Sequence, residues 1–155
     1  MINRVLARCL QVAIVALGLG ILAALLWEPT VEGVNANATT LSEIYFDDPF
    51  LAYIYVSFIA VFVGFYQVFK LLGYIGGGDA YSQKSVKALR AIRRCVILFA
   101  AFMFGAVVFI VITQYGKDDI AGGVAMGLFL IIGSGVVAAA AAWLGRVVSK
   151  RVRIS

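Results

Sequence analysis

The sequence predicts an all-α polytopic membrane protein with four transmembrane helices in an antiparallel bundle. Three observations predict it. Of the 155 residues, 63% are hydrophobic and only 14% charged, against roughly 45–50% and about 25% in soluble domains, so polar groups cannot cover the apolar surface. Four apolar runs, at about residues 5–27, 50–75, 95–115 and 120–148, each reach the ~20 residues that cross ~30 Å of hydrocarbon as a helix. The basic residues gather at the ends of these runs, and no run has a charge in its middle.

Helix is the expected form of each run because every backbone N–H and C=O in the bilayer core needs a partner within the segment, and the alternation of a barrel strand is absent. The first run follows Arg4 and Arg8 and precedes an Ala36-Asn37-Ala38 pattern, as a signal peptide would. Its apolar stretch is longer than a signal core and the small-residue pattern lies well beyond Trp27, so it is expected to remain as span 1.

The next segment, the external loop 28–48, holds Pro29, Gly33 and a polar Asn-Ala-Asn-Ala-Thr-Thr tract and is expected to be irregular or a small cap. The formal acceptor Asn37-Ala38-Thr39 carries no weight, since the pattern recurs by chance. Asp47-Asp48 before Pro49 then reads as a helix start, with an acidic cap and proline at the first helical position; Asp118-Asp119 before Ile120 reads the same way. A weaker reading gathers Asp47, Asp48, Asp118 and Asp119 around a hard divalent cation, although the spacing matches no metal loop.

Span 2 carries Tyr53, Tyr55, Phe58, Phe62, Phe65, Tyr66 and Phe69. Gly76-Gly77-Gly78 ends it, because three residues without side chains are poor helix formers. Within the basic cytoplasmic loop 76–94, Ser82 can cap a new helix, in which Val86, Leu89, Ile92 and Val96 recur at helical spacing opposite a basic face. That face makes Lys84, Lys87, Arg90, Arg93 and Arg94 candidates for contact with anionic lipid.

Spans 3 and 4, joined by a tight connection from Gly116 to Asp119, should form a hairpin. Span 4 is rich in small residues: Gly123 and Gly127 form GxxxG, and Gly127, Ser134 and Ala141 recur every seven residues. This smooth stripe is a helix-packing surface for another span or another subunit, with aromatic span 2 as its expected complement. Few polar side chains lie within the spans; Gln11 and Gln67 are at similar expected depth in spans 1 and 2, where a hydrogen bond between them would tie the helices together.

Twelve of the thirteen Lys and Arg residues flank the runs on one side, leaving Lys117 alone on the other. By the positive-inside rule the basic side is the cytoplasm. Both termini then lie there, as an even number of spans requires. The net charge of +5 is thus a topology signal, and no nucleic acid partner is expected. Cys9 and Cys95 are expected as buried thiols rather than a disulfide. Histidine is absent, and HExxH, Cys-x-x-Cys, GxSxG and P-loop patterns are missing too. Neither enzymatic activity nor a cofactor is expected.

The stretch from Ser85 to Cys95, the preceding Tyr66-Gln-Val-Phe-Lys-Leu-Leu-Gly-Tyr-Ile75, and Asp118-Asp-Ile-Ala-Gly-Gly followed by Gly127-Leu-Phe-Leu-Ile-Ile resemble the YoaS-like family of small bacterial membrane proteins of unknown function. The resemblance covers roughly residues 50 to 145. It implies four spans in a bacterial cytoplasmic membrane and hints at a regulatory or stress-linked role. It supplies no catalytic or binding residues. The tail from Arg146 to Ser155 is basic, unlike the acidic, amphipathic tail the resemblance implies.

Taken together, these features lead to a non-enzymatic protein that mediates association, with itself or another membrane protein, or regulation in the bilayer. The alternative is a small oligomeric transporter or channel lined by Gln11, Gln67, Ser57 and Ser134.

Overall fold

A computed structural model describes residues 3–31, 37–116 and 120–155. Five helices follow in order: α1 (Arg4–Val31), α2 (Leu41–Phe46), α3 (Pro49–Gly76), α4 (Gln83–Thr113) and α5 (Ile120–Ile154). All but α2 are long and apolar enough to cross a membrane. They run to 28, 28, 31 and 35 residues, or ~42–52 Å at 1.5 Å per residue, so each projects beyond the hydrocarbon.

The helix ends follow from local chemistry. Thr40 caps α2: its hydroxyl accepts from the Glu43 N–H at 3.3 Å, while the Glu43 carboxylate accepts from the Thr40 and Thr39 N–H groups at 3.2 and 3.0 Å, a reciprocal capping box. Those two donors hold the Glu43 carboxyl below its ordinary pKa. At the end of α3, Gly78 takes φ +93°. The Asp79 N–H donates to the Tyr74 carbonyl at 2.8 Å and the Gly78 N–H to Ile75 at 3.2 Å, the paired bonds of a Schellman cap. Ser82 then starts α4 by accepting from the Ser85 N–H. The link between α3 and α4 is therefore a six-residue turn, 77–82, and the rest of the basic segment is helix continuous with span 3.

The antiparallel bundle is laid out as a row. Helix α1 packs on α3, α3 on α4, and α4 on α5, and α2 rests on α3. Between α1 and α3, Ala7 is almost fully buried against Gly76, where a Cβ would come within 2.8 Å of it. Between α3 and α4, Phe50 stacks on Phe109 at 5.5 Å and Phe58 meets Phe99 edge-on at 5.3 Å, around a core of Ala60, Phe99 and Met103.

Between α4 and α5, Gly123 faces Ile110, Gly127 faces Val107 and Gly145 faces Leu89. The buried residues of α5 are Gly127, Ser134, Ala141 and Val148, so the seven-residue stripe turns toward α4 of the same chain. The expected complement differs: the span 2 aromatics Tyr53 and Phe58 engage α4, and Tyr55 and Phe65 engage α1. Size matching alone does not choose a neighbour, whereas few residues of sequence separate Thr113 of α4 from Ile120 of α5.

Among the described residues, burial is densest at the start of α4. Ser85, Val86, Ala88, Leu89 and Ile92 are all buried, with Val86 and Leu89 clustered with Val148 and backed by Leu71 and Val152. The apolar face of this amphipathic segment is thus taken by α5 and α3. Cys9, expected to be buried, is exposed, and Cys95 is half-buried; α1 has a single long neighbour, so most of its circumference faces outward.

Candidate functional site

The two acidic candidates among the described residues stand at helix ends. Asp48 accepts the Phe50 N–H at 2.9 Å and caps α3 ahead of Pro49, and Asp47 ends α2. Asp118 and Asp119 lie outside the described residues. Among the described residues, no three His, Cys, Asp or Glu side chains meet as a metal site would require.

The intramembrane glutamines are not paired with each other. Gln11 donates instead to the Phe69 carbonyl at 3.0 Å. Its amide also lies 3.2 Å from where a Gly73 Cβ would be, so the missing side chain at Gly73 gives the glutamine its room. Gln67 takes no part in that bond, although it stands only two residues before Phe69. Two tyrosines that the sequence offered only as bulky aromatics also make interhelical polar bonds: Tyr53 donates to the Phe102 carbonyl at 2.8 Å and Tyr55 to Leu25 at 2.9 Å. The Tyr53 hydroxyl occupies the space a Cβ at Gly105 would take, a pairing of tyrosine with an opposing glycine that only the helix register reveals. Ser57 is fully buried and bonds the Ile54 carbonyl at 2.6 Å.

Because α5 lies along α4 rather than α3, an apolar crevice of about 280 Å³ remains between α3 and α5 above α4. Gly64, Gly133 and Ser134 keep its walls low, and Val68, Phe99 and Val137 line it. A Cβ at Gly133 would meet nothing within 4 Å. Toward the basic end lies a second apolar hollow of about 320 Å³, bounded in part by Leu71, Tyr81, Leu144 and Val148. There the Arg151 guanidinium sits over the Tyr81 ring at 5.6 Å.

The five basic candidates divide. Arg90 and Arg93 of α4 join Arg146 and Ser149 of α5 around a crevice of about 160 Å³, floored by Val86, Leu89, Ala141, Ala142 and Gly145. Lys84, Lys87 and Arg94 do not line it. The contribution of α5 was not visible in the sequence, since it depends on the register of two helices. Arg4 and Arg8 border a separate crevice of about 260 Å³ between α1 and α3.

Four apolar helices, antiparallel and laid side by side with their charges at the ends, define a polytopic α-helical membrane protein. Residues 21–155 match the model of the family described as Protein of unknown function (DUF2975), and the chain belongs to that family. It is similar to the Uncharacterized membrane protein YoaS of Bacillus subtilis (strain 168), with 34% identity over 155 residues that cover 98% of this chain and 94% of that protein. No solved structure matches the chain.

Proposed function

We propose that the chain is a non-enzymatic protein of the bacterial cytoplasmic membrane that works by taking an apolar transmembrane helix of another subunit into the crevice between α3 and α5. The basic ends of the helices, including both termini and the turn 77–82, lie in the cytoplasm on this reading, as the segregation of Lys and Arg supports. The observation that carries the proposal is the crevice itself. It is lined almost wholly by apolar side chains and has low walls at Gly64, Gly133 and Ser134, the small residues that let a helix backbone approach closely in lipid. Gly127 of the α5 stripe is already used against Val107 of α4, whereas Gly133 opens on the crevice.

A transporter or channel receives no comparable support. Gln11 is bonded to α3, Ser57 is bonded within its own helix, and Ser134 is the sole member of the four expected pore residues that lines the crevice.

A photocrosslinker placed at Val137 in native membranes tests the proposal. Capture of a membrane protein or a second copy, abolished by Gly133→Leu and retained in Gly135→Leu, is expected. An identical pattern in both variants would reject the crevice as the contact. Flux of ions or small solutes through liposomes holding the protein alone would favour the transporter instead.

A further inference from the structure

We propose that the crevice of Arg90, Arg93 and Arg146 binds the phosphate of one anionic phospholipid headgroup. The helix directions make the arginines converge. Side chains on a helix lean toward its N-terminus. Helix α4 starts at the basic end, so Arg93 leans outward along it, whereas α5 starts at the opposite end, so Arg146 leans back toward the bilayer. Leu89 stands beside Gly145, which puts Arg93 four residues, or about 6 Å, further into the membrane than that level. Arg93 and Arg146 thus border the same crevice from its inner and outer sides, and Arg90 borders it from an intermediate height on α4.

Charge complementarity selects the occupant. None of the three arginines pairs with a carboxylate among the described residues. The Ser149 hydroxyl donates to the Arg146 carbonyl at 3.0 Å, which leaves the guanidiniums as the donors. Planar guanidinium forks suit phosphate oxygens, and basic pockets between transmembrane helices are a known form of headgroup site. Ala141 and Ala142, about level with Arg93, give the inner part of the crevice an apolar floor, as the upper acyl region of a lipid requires and a free phosphate does not. The volume of about 160 Å³ far exceeds the roughly 10–15 Å³ that one water needs.

The test counts lipids retained by the full-length protein, by native mass spectrometry after exchange into mixed micelles of phosphatidylglycerol and phosphatidylcholine. Preferential retention of phosphatidylglycerol is expected. Arg93→Gln and Arg146→Gln should each weaken it about fivefold, and Ala142→Leu, which fills the floor without changing charge, should weaken it as well. Lys84→Gln and Arg153→Gln should leave it unchanged. Equal losses in Lys84→Gln and Arg93→Gln, or no loss in Ala142→Leu, would reduce the site to a diffuse basic field and overturn the proposal. Displacement of the lipid by millimolar inorganic phosphate would assign the crevice to free phosphate and overturn it too.

Discussion

Gly127 of α5 lies so close to Val107 of α4 that any Cβ there would overlap the valine Cγ2. Valine in a helix has essentially one rotamer, so the valine cannot swing aside and the backbones must separate. Gly127→Ala is therefore expected to cost about 1–3 kcal/mol, read as a lower midpoint of thermal unfolding in detergent. Gly133→Ala, whose methyl would enter open space, should not lower the midpoint.

Tyr53 and Gly105 form a second such pair, joined to a hydrogen bond. Tyr53→Phe removes the bond to the Phe102 carbonyl and is expected to cost about 0.6–2 kcal/mol. Gly105→Ala collides with the same hydroxyl, so its cost should fall when Tyr53 is already phenylalanine. A double-mutant cycle measures that coupling; strict additivity would show that the hydroxyl does not sit against Gly105.

Gln11 and Gln67 should behave differently although both are glutamines in apolar helices. Gln11→Leu loses its bond to α3 and is expected to destabilise by about 0.6 kcal/mol or more. Gln67→Leu should be neutral or stabilising in the same unfolding assay.

The cap of α2 carries a pH dependence. The Glu43 carboxyl is held below its ordinary pKa by the Thr39 and Thr40 N–H groups, so the unfolded cap binds protons more readily than the folded one. Its contribution is complete above the ordinary carboxylate pKa and is lost as pH falls through the depressed value. Hydrogen exchange at Thr39 and Thr40, corrected for the intrinsic pH effect, should quicken on acidification across that window. Glu43→Gln should abolish the change.

The sequence made some levels of this structure legible and hid others. Hydrophobic runs locate spans because lipid demands a fixed apolar length, and the cap at Asp48 and the break at Gly78 are local chemistry readable in order. The spacing of Gly127, Ser134 and Ala141 showed a packing face for the same reason. Which helix meets that face was hidden, as was the bond from Gln11 to Phe69 in place of Gln67: apolar length fixes depth to about a turn, and a hydrogen bond requires register within a residue. The joining of Arg146 to Arg90 and Arg93 needs the same register. Helix α5 continues to Ile154, past the apolar run that ends at about 148, because Val152 packs against the cluster of Val86 and Leu89, a contact that hydrophobic length does not show.

The most direct test of the proposed placement is cysteine labelling in intact cells, in a background of Cys9→Ser and Cys95→Ala. A membrane-impermeant thiol reagent should label Asn37→Cys at once, and Ser82→Cys and Arg153→Cys only after the membrane is opened. Labelling of Ser82→Cys from outside the intact cell would contradict the account.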